Sequence, residues 1–204
     1  MISFTKSRKW DFPPEVKFSD GTPIEYIAET KLVGVVLTQD LKWKKNTTYI
    51  CEKARAKLWT LRRLLKFDLD VYDLFDVFCK EIRSILEMAV PVWHSSLTKQ
   101  QSYDIENIQK LAMKIILQEK YVNYELACTL FSAKTLAARR LQLCTKFAQK
   151  NQKSEQSLFS NFIPQVNTRQ KSNLVQEYRC NTKRYQRSSL PFMASLLNAV
   201  NKKK

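Results

Sequence analysis

Before residue 40 the apolar positions alternate or run together, and from Asn46 onward they recur every three or four residues. That change of period divides the chain into a strand-forming start and a helical remainder. Val16-Lys17-Phe18 and Ile24-Glu25-Tyr26-Ile27 alternate around Ser19-Asp20-Gly21-Thr22, whose turn chemistry predicts a hairpin. Leu32 to Leu37 is nearly continuous β-branched and aliphatic with Gly34 inside, which reads as a buried strand passed closely by another backbone. In the helical part Ile50, Ala54, Leu58, Leu61 and Leu65 share one stripe at 100° per residue. Asp70 is placed to cap a helix carrying Leu74, Phe78, Ile82, Ile85 and Ala89 inward, and Pro91 ends it. Thr98-Lys99-Gln100-Gln101 has the spacing of a capping box for a helix with Ile105, Ile108, Ala112 and Ile115 on one face. A short helix near Tyr124 to Phe131 and a longer one from Lys134 to Lys150 follow, the latter with Leu136, Leu143 and Phe147 inward.

After Asn151 the chain turns to Ser, Asn, Gln, Lys and Arg, then recovers an apolar patch at Leu190-Pro191-Phe192-Met193 and Leu196-Leu197 before Lys202-Lys203-Lys204. This predicts a loosely packed extension with a docking segment. The expected class is α+β, mainly α: a small antiparallel β element over 1–43, a helical bundle over 44–150 and an irregular basic tail over 151–204. Met1-Ile2-Ser3-Phe4 is β-like with no entry segment, as if the chain began inside a sheet.

Charge sharpens this division. The net charge is +16, but residues 1–40 are near neutral, 41–66 carry nine Lys/Arg against Glu52, 67–133 are net acidic, and 134–204 are strongly basic. Two basic blocks flanking an acidic one favour a polyanionic partner, with nucleic acid ahead of an anionic membrane because no basic helix also carries a bulky membrane-inserting face. In the first block Trp59 falls opposite the apolar stripe, surrounded by Arg55, Arg62, Arg63 and Lys66, and Lys53 joins these as a candidate nucleic-acid contact. A flat side chain among cations fits a phosphate-tracking surface with a stacking residue. The plainer alternative is a tryptophan covered by a second element, with ordinary solvated charges around it.

Catalytic chemistry is thin. Asp68, Asp70, Asp73 and Asp76 form the densest carboxylate cluster, and acids at a helix start complement its dipole more readily than they hold a metal. His94 is the single histidine and reads as structural. The five cysteines, Cys51, Cys79, Cys128, Cys144 and Cys180, are too scattered for a zinc clasp or redox pair and read as reduced and mostly buried. No glycine-rich phosphate loop or nucleophile elbow occurs, so neither an active site, a metal, a cofactor nor a small-molecule substrate is expected. With no signal peptide and no run of 18 apolar residues, the chain reads as intracellular, with no membrane partner.

The order of elements resembles a known family. Glu29-Thr30-Lys31-Leu32-Val33-Gly34-Val35-Val36-Leu37, then Asp40-Leu41-Lys42-Trp43 and the basic helix ending Leu61-Arg62-Arg63-Leu64, resemble the end of the palm and first thumb helix of non-LTR (LINE-like) retrotransposon reverse transcriptases. Ile85-Leu86-Glu87-Met88-Ala89-Val90-Pro91-Val92-Trp93 resembles that family's thumb signature, and Ile105-Glu106-Asn107-Ile108-Gln109-Lys110-Leu111-Ala112 a helix that follows it. The segment from Arg139-Arg140 to Phe147-Ala148 resembles the family's arginine-rich helix. Thr182 to Pro191 with Leu196-Leu197-Asn198 resembles its closing segment. Each piece is weak alone, and the ordered series carries the resemblance.

The resemblance implies a C-terminal fragment: end of palm, thumb-like bundle and extension, contacting template-primer as RNA or an RNA/DNA duplex, with the upstream palm as a possible partner. Gly34 and Val35 would lie near the primer strand, and Arg139 and Arg140 would join the nucleic-acid contacts. The Tyr-x-Asp-Asp turn that holds catalytic magnesium in the family is absent, so the chain is expected to have no polymerase activity on its own. Magnesium belongs only to the full polymerase, and the implied location is the nucleus or a cytoplasmic ribonucleoprotein. A competing reading is a free-standing basic helical module that binds RNA or an acidic protein. The strand and basic-helix region also resembles the leader of tRNA-directed alkylation-repair oxygenases, but their iron needs two histidines and a carboxylate, and this chain has only His94.

Overall fold

A computed structural model describes residues 2, 16–152, 165–166 and 174–201. Of Met1 to Phe4 only Ile2 falls within these, and Lys202 to Lys204 lie outside them. The first alternating pair makes a minimal hairpin: Lys17 bridges Pro23, Phe18 N–H donates to Thr22 O at 2.9 Å, and Asp20 Oδ1 accepts from Thr22 N–H at 2.9 Å.

Leu32 to Leu37 departs from the single strand expected. It folds back on itself as β1 (Glu29–Leu32) and β2 (Val35–Thr38), paired antiparallel with Glu29 opposite Thr38 and Leu32 opposite Val35. Val33 (φ 46°) and Gly34 (φ 81°) both lie in the left-handed region, the requirement of a two-residue turn that matches strand twist. An unbroken apolar run does not report such a turn, because Val33 is nearly fully exposed at the tip. Gly34 is closely approached, though by a side chain and not by backbone: a Cβ there would meet Met88 Cε at 2.7 Å. Val35 points inward and joins the main core.

Helix α1 (Lys44–Leu64) follows, with Ile50, Ala54, Leu58 and Leu61 buried as its period requires, while Leu65, the last position of the expected stripe, is half-buried in the 3-10 turn where the helix tightens and loses its 100° phase. Asn46, also buried, ties α1 to the hairpin by accepting from Val36 N–H at 3.1 Å. Asp70 caps α2 (Val71–Val77), its carboxylate accepting from Tyr72 N–H at 2.8 Å. The chain then passes through a π-helical turn, Phe78–Arg83, into α3 (Ser84–Glu87). The wider turn changes the inward set. Leu74, Phe78, Ile82 and Leu86 are buried at steps of four while Ile85 is only half-buried. In a regular helix each step of four overshoots a full turn by about 40°, and the π turn absorbs that drift.

The helix stops at Met88 and Ala89, and Pro91 lies in the first turn of the next helix, α4 (Val90–Trp93). Proline tolerates a first turn because its missing N–H would find no partner there. Trp93 is fully buried and donates from Nε1 to Met88 O at 3.0 Å. In α5 (Lys99–Leu117) the capping box forms in both directions, Gln101 N–H to Thr98 Oγ1 at 3.2 Å and Thr98 N–H to Gln101 Oε1 at 2.7 Å. Gln101 also donates to Lys42 O at 2.9 Å, fixing the entry to α1 against α5. Its buried stripe is Ile105, Ile108, Ala112 and Ile116, with Ile115 half-buried.

Asn123 caps α6 (Tyr124–Leu130), and α7 (Leu136–Gln152) begins on the carboxylate of Glu106, which accepts from Leu136 N–H at 2.9 Å and Ala137 N–H at 3.1 Å. The inward stripe of α7 is Leu136, Arg140, Cys144 and Ala148. Leu143 is half-buried and Phe147 exposed, contrary to the expected phase, because the stripe that faces the bundle includes an arginine that hydropathy reads as outward. The described tail is more regular than expected. A short antiparallel pair, Gln165–Val166 with Leu174–Val175, and a helix Lys183–Gln186 lead to the last helix, Ser189–Asn201. That helix docks on α7 through Met193, Ala194 and Leu197 beside Ala148 and Val175. Asn198 pairs with both backbone groups of Val175, at 2.9 and 3.0 Å, as a neighbouring strand would.

Candidate nucleic-acid interface

The exposed side of α1 is set by its buried side. With Ile50, Ala54, Leu58 and Leu61 against the bundle, Arg55, Trp59, Arg62 and Arg63 project to solvent, and Lys66 follows in the 3-10 turn Leu65–Phe67. Trp59 is 57 % exposed, and no described element covers it. The Arg63 guanidinium carbon lies 4.8 Å from the centre of its ring. Among the described residues no carboxylate lies within ion-pair distance of Lys53, Arg55, Arg62, Arg63 or Lys66, whereas Lys57 meets Glu81 at 3.5 Å. Lys53 is exposed but lies about 120° around the helix from Trp59 at 100° per residue, so it flanks the patch. An exposed aromatic ring with uncompensated cations can stack on a base while its neighbours meet phosphates.

The other predicted contacts are placed differently. Arg139 makes a two-pronged pair with Glu87, Nε to Oε1 and Nη2 to Oε2 at 2.9 Å, so its charge is neutralised within the fold. The Glu87 carboxylate holds the Arg139 guanidinium above its ordinary value. Arg140 is 0 % exposed and cannot reach a phosphate. Its Nη2 donates to Ser102 Oγ at 2.7 Å, Nε and Nη1 have no protein partner, and burial lowers its pKa. It is buried because it aligns at i, i+4 with Leu136 and Cys144 on the core face of α7. Gly34 serves the hairpin turn and Val35 the core, so the primer-grip assignment has no exposed Val35 side chain behind it.

The remaining chemistry is structural in its surroundings. Burial pushes Cys51 and Cys144 up to about 11, which keeps both thiols protonated and poorly nucleophilic. Burial, with the Arg140 charge nearby, pushes His94 down to about 4. Asp70 is a cap and Asp76 pairs with Lys80 at 2.5 Å. Among the described residues no group of three His, Cys, Asp or Glu side chains is placed to hold a metal ion, and no helix is long and apolar enough to cross a membrane.

One grouping was missed in the sequence. Lys42 and Lys44, at the start of the first basic block, face Lys183, Arg184 and Arg187 of the second across a cleft. Each run of cations is visible in the chain, but nothing local says that they meet. Arg184 reaches the backbone carbonyl of Asp40, just before the first block, and Ser96 Oγ donates to Arg187 O at 2.9 Å, tying the tail to the turn that follows α4. Compared with known proteins, the chain matches no family model, no curated protein and no solved structure.

Proposed function

We propose that this chain is a nucleic-acid-binding fragment of a non-LTR retrotransposon reverse transcriptase, made of the end of the palm, a thumb-like helical bundle and a basic extension. It holds template-primer, as RNA or an RNA/DNA duplex, and leaves synthesis to an upstream palm with its magnesium ions. The ordered series of motifs supports the family, and the nucleus or a cytoplasmic ribonucleoprotein is the matching location. The observation that carries the binding role is Trp59, exposed on α1 with Arg63 over its ring and Arg55, Arg62 and Lys66 unneutralised around it. Cations that lack carboxylate partners exchange counterions for phosphates and gain affinity as those counterions are released.

Fluorescence anisotropy of a labelled RNA/DNA duplex, titrated at several salt concentrations, tests the proposal. Binding should be largely indifferent to sequence, with log affinity falling against log salt by roughly 0.9 per phosphate engaged. A flat salt response or a strong preference for one base sequence overturns it and favours the free-standing module.

A further inference from the structure

Two basic segments far apart in sequence meet across one cleft, walled by residues 41–48, by 96–104 and by the helix Lys183–Gln186. The cleft has a volume of about 520 Å³, within the roughly 300 to 1,000 Å³ of ligand-sized sites. Lys42, Lys44, Lys183, Arg184 and Arg187 line it against one lining acid, Asp104, which already accepts from Gln100 Nε2 at 2.8 Å. Lys42 is paired with Asp40 at 3.2 Å and Arg184 donates to the Asp40 carbonyl. Among the described residues, Lys44, Lys183 and Arg187 have no carboxylate at ion-pair distance. Thr47, in the same lining, is 3 % exposed and its hydroxyl has no protein partner. Like charges converging in this way repel one another until an anion lies between them.

The tail does not depend on Lys183 or Arg187 for its position. Ser96 Oγ donates to the Arg187 carbonyl at 2.9 Å, and Ser189 Oγ donates to Val92 O at 2.7 Å, so these anchors fix the segment alongside Arg184 while the Lys183 and Arg187 heads stay available. The cleft also continues the α1 face. At 100° per residue Lys44, Thr48, Arg55, Trp59 and Arg62 fall within an arc of about 60°, and the first two of them line the cleft. From Lys44 to Arg62 the helix rises about 27 Å, the length of roughly eight phosphates on one strand of a duplex.

We infer that this cleft is a second phosphate-binding site for the nucleic acid that α1 tracks, gripping the strand's backbone phosphates between the tail and the body of the fold. The inference rests on the nucleic-acid reading above and adds the tail to the footprint.

The test compares Lys183→Gln with Arg187→Gln, in one protein, against Arg62→Gln with Arg63→Gln in another. Each is titrated with an RNA/DNA duplex of about 20 base pairs, long enough to span both surfaces. Because Lys183 and Arg187 are exposed, thermal unfolding of the cleft variant should match the parent. Its salt slope should fall by about one unit for each phosphate it no longer engages, as should that of the α1 variant. If the cleft variant binds as the parent does while the α1 variant weakens, the inference is overturned and the nucleic-acid reading stands. If the parent itself fails to bind duplex at low salt, both fail. A melting rise with inorganic tripolyphosphate that disappears only in the cleft variant would then assign the cleft to small free anions.

Discussion

Arg63 lies over the indole of Trp59, its guanidinium carbon 4.8 Å from the ring centre, one turn further along the same exposed face of α1. Such a pair contributes about 0.5 to 1 kcal/mol at an exposed site, too little to explain a large aromatic side chain left in water. Because Trp59 is exposed and loses little more than its pairing with Arg63, Trp59→Ala should lower stability by no more than about 1 kcal/mol, far below the cost of emptying a core position. If the indole stacks on a base, the same change should cost about 1 to 3 kcal/mol of duplex affinity with the salt slope nearly intact. Measuring melting and affinity on one sample separates these effects, and unchanged affinity removes Trp59 from the interface.

Val33 occupies a left-handed position, φ 46°, that β-branched residues rarely adopt, and its side chain is nearly fully exposed. Val33→Asn should therefore stabilise the protein by about 1 kcal/mol, since Asn-Gly is the favoured pair for this turn. Gly34→Ala should destabilise it, through both its positive φ and the crowding of Met88. Urea unfolding midpoints decide both, and a destabilised Val33→Asn would refute the turn assignment.

The π turn Phe78–Arg83 brings Leu86 into the core and leaves Ile85 half-buried. Leu86→Ala should cost about 2 to 5 kcal/mol through the cavity it opens, and Ile85→Ala nearer 1 kcal/mol. The reverse order in denaturant unfolding would mean a regular helix through this stretch.

Glu106 joins three elements: it caps α7 through Leu136 and Ala137 N–H and accepts the Tyr124 hydroxyl. A carboxylate at a helix start also complements its dipole. Glu106→Gln should cost about 1 to 2 kcal/mol and Tyr124→Phe about 1 kcal/mol, read from chemical denaturation. Equal stability of Glu106→Gln and the parent would show that the charge contributes nothing.

His94 carries the pH dependence. Its pKa is depressed to about 4 by burial and by Arg140, against an ordinary 6.5, so the folded protein keeps it neutral while the unfolded chain protonates it. Between these values the unfolded state binds more protons, so stability rises with pH. The contribution is fully present above about 6.5 and fades as pH falls toward 4, by roughly 2 kcal/mol after allowance for the solvent that reaches the ring. Unfolding midpoints should rise from pH 4 to pH 7 in the parent and rise less in His94→Gln. An equally steep profile in the variant would assign the loss to other groups.

Features that depend on three or four neighbouring residues were legible in the chain alone. Asp70 and Thr98 cap the helices that their spacing announced, the α1 stripe buries as its period demands, and that same period turns Trp59 and Arg62 outward. These follow from backbone N–H groups and helical geometry, which a short stretch of chain settles alone. Leu32 to Leu37 stayed ambiguous because an apolar run has no register until it finds a pairing partner, and here the partner was its own other half. Packing between elements put Leu86 inward in place of Ile85, since that choice depends on which helix face α1 receives. Packing also buried Arg140, where the fit of α7 against α4 and α5 outweighed the cost of desolvating a charge. And it brought Lys44 to Arg187, because a meeting of residues so distant in sequence is set by chain closure and the docking of the last helix, neither of which leaves a local mark.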